Sequence, residues 1–156
     1  MRRNRRRTGS WTVVILLIGF LLVGGVWPAG AQEPIKIGFG MALTGGLAAG
    51  GKSVVIAAQL WAEDVNAKGG LLGRPVKLVY YDDQTKGATV PGIYTKLLDI
   101  DKVHFVVSGY GTNLIAPAMP IVMERKLVFP ALFGLANNEK HNYPGYFQIK
   151  IGRAHV

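Results

Sequence analysis

From residue 35 onward the chain alternates two kinds of segment, and this alternation constrains the fold more than any other feature. Ile35 to Gly40 reads as a short strand. Lys52 to Lys68 carries apolar residues at helical spacing (Val54, Val55, Ala57, Ala58, Leu60, Trp61, Val65), and Gly69-Gly70 supplies a C-terminal stop. Gly73-Arg74-Pro75 is a turn, and Val76 to Tyr81 is a second strand ending at Asp82-Asp83. Val90 to Asp101 reads as a second helix with Pro91 in its first turn, Val103 to Ser108 as a third strand, and Leu114 to Arg125 as a third helix. Pro117 and Pro120 fall early in that helix and predict a kink. Leu127 to Pro130 gives a fourth strand and Tyr146 to Ile149 a fifth. Strands separated by helices of this length predict an α/β fold, a doubly wound parallel sheet covered on both faces.

In such a sheet, ligands bind where the C-terminal ends of strands meet the N-terminal ends of helices. The loops there are Met41 to Gly51, Asp82 to Thr89, Gly109 to Asn113 and Ala131 to Asn138, rich in Gly, Ala and Thr. Backbone N–H groups in glycine loops approach a ligand closely, and helix N-termini favour anions. The rim therefore suits a small, partly anionic molecule.

Charge carries less information than its total suggests. Lys and Arg number 18 against 9 Asp and Glu, a formal +9, but five arginines lie at positions 2, 3, 5, 6 and 7. The remaining 13 basic groups face 9 acidic ones along the chain, so no nucleic-acid partner is expected. Those arginines precede an uncharged apolar run, Trp11 to Trp27, then Pro28 and the small-x-small site Ala29-Gly30-Ala31. Residues 1–31 thus read as a signal peptide cleaved after Ala31, with an uncut membrane anchor as the alternative. The paired arginines leave Sec and twin-arginine export both open. Cysteine is absent, which excludes disulfides, thiolate metal sites, a Cys nucleophile and a lipidated N-terminal Cys.

Several motifs imitate chemistry. Gly46-Leu47-Ala48-Ala49-Gly50-Gly51-Lys52-Ser53 matches a phosphate-binding loop, with Lys52 for terminal phosphates and Ser53 for Mg²⁺; the competing reading is a small-residue turn before a helix. Asp82-Asp83 resembles a catalytic pair, but adjacent residues at a strand end point apart, which favours capping or hydrogen-bonding roles. His104, His141 and His155 lack metal-ligand spacing, and no Ser/His/Asp constellation is suggested. No catalytic residue, metal or cofactor is expected. Trp61 is assigned to the core, while Tyr94, Tyr110 and Tyr143 either reach the cleft or cover the surface.

Four strings carry a family resemblance: Ile35-Lys36-Ile37-Gly38, Leu43-Thr44-Gly45-Gly46, the stretch from Asp64 to Val76 (DVNAKGGLLGRPV), and Tyr80-Tyr81-Asp82-Asp83. Together they resemble the N-terminal, Rossmann-like lobe of a type I periplasmic binding protein, nearest the leucine/isoleucine/valine-binding components of ABC importers. The resemblance implies two lobes closing on an amino acid or related small carboxylate or amide. It also implies a monomer without enzymatic activity, working in the periplasm with an ABC permease in the inner membrane. A sensory receptor domain is the alternative, and a nucleotide-binding protein a more distant one. The implied ligand residues are Gly111, Thr112 and Asn113 after the third strand, Ala131, Leu132 and Phe133 after the fourth, and Thr44 and Gly50 on the first loop. The family pattern places an aromatic near Gly50; its absence here predicts a roomier pocket. The domain reading is a partial ligand-binding lobe over 32–150, lacking its second lobe, and a non-native tail over 151–156.

Overall fold

The computed structural model describes residues 32–134 and 141–149. The signal peptide and tail assignments, and the end of the loop after the fourth strand, lie outside the described residues. The elements in order are β1 (Ile35–Met41), α1 (Ala48–Ala67), β2 (Val76–Asp82), a 3₁₀ turn (Gly87–Thr89), α2 (Val90–Asp99), β3 (Phe105–Val106), α3 (Thr112–Ile115), a second 3₁₀ turn (Ala116–Ala118), α4 (Met119–Glu124), β4 (Phe129–Leu132) and β5 (Tyr146–Ile149).

All the ladders are parallel. β1 lies between β2 and β3, and β4 pairs with β5. A parallel bridge between Tyr110 and Leu132, and a 2.9 Å bond from the Ser108 N–H to the Pro130 carbonyl, join the two groups. The resulting order is β2-β1-β3-β4-β5. The chain first steps one way and then reverses, which puts a topological switch point between β1 and β3.

Strand alternation sorts the side chains onto two faces. One face receives α2, α3 and α4. Here Val106, Phe129 and Ala131 from the strands meet Tyr94, Leu114 and Met119 from the helices, all essentially buried. Tyr94 meets Phe129 edge-on, with centroids 5.7 Å apart, and its hydroxyl donates to the Val107 carbonyl at 2.6 Å. Gly38 is required on this face: a Cβ there would stand 2.9 Å from Val103 and 3.0 Å from Leu97. The other face receives α1, which buries Gly51, Val55 and Ala62 against Phe39 and Met41.

Three differences from the element boundaries read in the sequence have local reasons. α1 begins at Ala48 rather than Lys52, because Gly51 donates to the Leu47 carbonyl and sits against the Ala42 carbonyl. It ends as expected: Gly69, at φ 96°, donates to Asn66 and Gly70 to Val65, a Schellman finish. The expected third helix breaks into α3, the 3₁₀ turn and α4, with Pro117 and Pro120 each lacking an N–H for the helical ladder. β4 starts two residues late, at Phe129. Lys126 takes the left-handed φ of 55° and donates to Met123, and Leu127 donates to Val122. That second Schellman finish uses Leu127 to close α4, so it cannot open a strand. Trp61 is also corrected: it is 44% exposed rather than core, and lines a cavity of about 260 Å³ between α1 and the strands.

Candidate functional site

The loops expected to bind a ligand do gather along the C-terminal edge of the strands. Two clusters form there, linked by Leu47. Its N–H donates to the Thr85 hydroxyl at 3.2 Å, and its side chain reaches toward Gly111.

The first cluster is built on Asp82, the last residue of β2. Its carboxylate accepts from the Leu43 N–H (3.0 Å), the Thr44 N–H (3.2 Å), the Thr44 hydroxyl (2.6 Å) and the Gln84 N–H (2.8 Å). Burial acts to raise its pKa, but the bonds from Thr44, Gln84 and Leu43 together hold it below the ordinary carboxylate value. The Thr85 hydroxyl donates in turn to the Thr44 carbonyl at 2.8 Å. Thr44 is therefore tied to Asp82, and Asp82 sets the shape of the first loop. Of the two roles read from the sequence, hydrogen bonding is the one this aspartate performs, since it ties loop residues and caps no helix.

Asp83 differs. It is fully buried, and only one of its oxygens is paired, with the Thr85 N–H at 2.8 Å. The other oxygen has no hydrogen-bond partner among the described residues and lies beneath Gly109. Burial pushes its pKa up, the Thr85 bond opposes this, and the charge on Asp82 adds to the rise. The two carboxylates have opposite environments and share no site, so they do not form a catalytic pair.

The second cluster joins Gly50, Tyr110, Gly111, Leu132 and Phe133. The Tyr110 ring lies on Gly50 so closely that a Cβ there would fall 2.6 Å from the ring. The same ring meets Phe133 at 5.1 Å between centroids, tilted 50°. The space over Gly50 is therefore filled: it is the notch into which the Tyr110 ring fits. Phe133 holds a left-handed φ of 56°, unfavourable for an aromatic residue and a common mark of functional loops.

The remaining expected residues divide by role. Gly111, at φ 94°, is the N-cap of α3 and donates to the Leu132 carbonyl at 3.3 Å. Thr112 is the first helical residue, not the cap, and is partly buried at the rim beside exposed Asn113. The Ala131 methyl is fully buried in the core, and the Leu132 N–H is taken by the Ser108 hydroxyl at 2.7 Å. These two residues position the loop rather than offering side-chain polar groups. Tyr110 is the residue that sequence reasoning left undecided. The available signal was its place between Gly109 and Gly111 at a strand end, together with the small residues around Gly50.

The phosphate-loop motif is spent on helix. Lys52 and Ser53 lie within α1, and the Ser53 hydroxyl donates back to the Ala49 carbonyl at 3.0 Å. A Cβ at Gly51 would fall 2.0 Å from the Ala42 carbonyl oxygen, so this segment packs on β1 instead of wrapping an anion. Among the described residues no cluster of three His, Asp or Glu side chains comes together.

These features define a doubly wound lobe whose loops converge at a switch point, the architecture that presents small ligands at a strand edge. A family model described as periplasmic binding protein matches residues 34–151, and the chain belongs to that family. Among curated relatives, an amino acid binding protein of Pseudomonas aeruginosa is 31% identical over 98 residues, covering 63% of this chain and 26% of its own length. Leu/Ile/Val-binding protein homolog 2 of Brucella abortus is 30% identical over 97 residues, covering 62% and 26%. Among solved structures, the branched-chain amino acid transporter substrate-binding protein LivJ of Streptococcus pneumoniae, in complex with isoleucine, aligns with TM-score 0.69 and 26% identity. That alignment covers 74% of this chain and 33% of LivJ. The leucine-binding protein LivK of Thermotoga maritima shares the fold, with TM-score 0.66, 21% identity, and coverage of 74% and 32%. The chain thus spans about a quarter of the length of the curated relatives it matches.

Proposed function

We propose that this chain is the ligand-capturing lobe of a solute-binding protein that delivers amino acids or related small carboxylates to an ABC permease. The observation that carries the reading is the convergence of Thr44, Gly50, Tyr110, Gly111, Thr112, Asn113 and Phe133 at the switch point, with no catalytic pair formed by Asp82 and Asp83. In this reading the ligand carboxylate meets the Gly111–Thr112 turn and the apolar body meets the Tyr110–Phe133 corner. The relatives named for amino acid and Leu/Ile/Val binding, and the isoleucine held by LivJ, support that ligand class. Residues 1–31 direct export and are removed after Ala31, leaving the lobe in the periplasm.

Calorimetric titration with leucine, isoleucine, valine and small aromatic acids tests the assignment. One wall of a cleft covers only part of a ligand, so binding is expected to be weak, on the order of millimolar. Thr112→Ala is expected to weaken it further by about 1–2 kcal/mol, one hydroxyl contact. ATP/Mg²⁺ binding that Lys52→Ala abolishes would overturn the reading.

A further inference from the structure

Asp83 is the only buried carboxyl among the described residues, and it stands beneath the rim. Its backbone is pinned. The N–H donates to the Met41 carbonyl at 3.1 Å, and the carbonyl accepts from the Lys86 N–H and the Thr89 hydroxyl, each at 2.9 Å. The carboxyl therefore cannot withdraw without breaking the turn. Its two oxygens serve different loops. Oδ1 accepts from the Thr85 N–H at 2.8 Å. The Thr85 hydroxyl in turn accepts from the Leu47 N–H and donates to the Thr44 carbonyl, so this oxygen anchors the first loop. Oδ2 has no hydrogen-bond partner among the described residues. It lies 3.4 Å from the point where a Gly109 Cβ would stand, and the Gly40 carbonyl oxygen lies 3.2 Å from the same point. Gly109 opens the third loop, which runs through Tyr110 and Gly111 into α3.

Such an oxygen behaves very differently in its two protonation states. An ionised carboxylate only accepts, and a buried one without a donor carries an uncompensated charge. A neutral acid presents an O–H donor, and the Gly40 carbonyl is an acceptor on that side. The groups facing Asp83 do not offset its charge. Asp82, its neighbour on β2, adds a like charge. Tyr94 of α2, which feels the Asp83 charge, is a buried phenol whose hydroxyl is spent on the Val107 carbonyl at 2.6 Å. Gly40 and Met41 at the end of β1, Ser108 after β3 and Thr112 at the start of α3 carry no charge. The Ser108 hydroxyl donates to the Gly109 carbonyl at 2.9 Å. Lys86, in the same turn, is exposed and bonds the Gln84 side chain at 3.1 Å.

We propose that Asp83 is a proton-operated brace of the rim, holding the first loop through Oδ1 and the third loop through an Oδ2–H bond to the Gly40 carbonyl. In the neutral form both ties are made, and β1 is closed against Gly109. Ionisation releases the Oδ2 proton to solvent and keeps the tie to Thr85. It leaves two oxygens, a carboxylate and a carbonyl, facing each other beside Gly109, and their repulsion loosens the segment from Gly109 to Thr112. The braced form prevails in acid and gives way as pH rises through the raised carboxyl midpoint. The two clusters of the strand edge are thereby coupled, because both hang from one side chain. On the function proposed above, solute capture is strongest in acid; the brace itself does not depend on that function.

An NMR titration of the full chain from about pH 3 to 8, following side-chain carboxyl carbons and backbone amides, tests the brace. The Asp83 carboxyl is expected to titrate above its ordinary value of 3.8 and Asp82 below it. The amides of Leu47, Gly109 and Gly111 should shift with the Asp83 midpoint, and the heteronuclear NOE of Gly109 and Gly111 should fall above it. Asp83→Asn keeps an oxygen for the Thr85 N–H and puts an N–H donor where the neutral acid has its O–H. It should abolish that step and hold the three amides at their acid-limit positions at every pH, which a merely structural role would not do. Where the variant does not fold, the wild-type midpoints decide alone. The brace is overturned if Asp83 titrates at or below 3.8, or if Gly109 and Gly111 ignore its midpoint. It is equally overturned if those amides still titrate there in Asp83→Asn. Isoleucine that fails to bind at any pH strikes the proposed function, and the midpoints still decide the brace.

Discussion

The two faces of the one sheet are made from the same strands and differ in nearly every physical respect. On the α2–α4 face, Phe129, Ala131 and Val106 are at most 1% exposed, and Tyr94 is held by an edge-on ring and a hydroxyl bond. On the α1 face, Phe105, Phe147 and Ile149 are more than half exposed. Intrinsic strand preference cannot explain this, since Tyr146 and Phe147 are neighbours in β5 and fall on opposite sides of the boundary. Only the helices that connect the strands differ. Among the described residues the fold is secured chiefly from the α2–α4 side, while on the α1 side the helix covers β1 and leaves Phe105, Phe147 and Ile149 exposed.

Substitutions placed on the two faces sharpen or break this contrast. The largest effect is expected from Phe129→Ala, which empties the centre of the packed face and should cost about 3–5 kcal/mol of stability in urea unfolding. Phe147→Ala, measured at low concentration, should stay within about 0.5 kcal/mol. Equal costs would mean that the bare face is not bare in solution. Next is Gly38→Ala. Its new methyl would press on Val103 and Leu97, costing about 1–3 kcal/mol, whereas Gly46→Ala meets nothing within 4 Å and serves as the control.

The smallest effect depends on pH. Burial raises the Asp83 pKa above its ordinary value of 3.8, so the folded state holds that proton more tightly than the unfolded chain. The stability this provides is complete below 3.8 and is lost as pH rises through the folded value. Asp83→Asn keeps an oxygen for the Thr85 N–H and cannot ionise. Its melting temperature relative to wild type should therefore climb as pH rises from the acid limb to neutrality. A difference that stays flat, or falls, would show that Asp83 is solvated or paired. Asp82 has the opposite sign: its lowered pKa contributes stability at neutral pH that is lost on acidification.

Much of this architecture is legible one segment at a time. The spacing of Val54, Val55, Ala58 and Val65 marks α1, and Gly69-Gly70 marks its end, because helical periodicity and left-handed caps are local properties. The β4 start was not legible. It depends on Lys126 adopting a left-handed φ that glycine usually supplies, and no composition rule flags a lysine for that role. The site shows the same division. Gly111 and Thr112 could be placed at the rim because they follow a strand and precede a helix. The fit of Tyr110 into Gly50 could not be foreseen, since these residues are sixty positions apart and meet only through the sheet.

The sequence by itself determined the order of strands and helices, their parallel arrangement and the family, because these follow from periodicity, connection length and local strings. The tertiary structure alone decided that Gly50 is a filled notch, that Asp82 and Asp83 have opposite environments, and that among the described residues Phe105, Phe147 and Ile149 are exposed while their strand neighbours are packed. Each of these depends on which distant residues share a face, and a side chain's solvent is set by its neighbours in space.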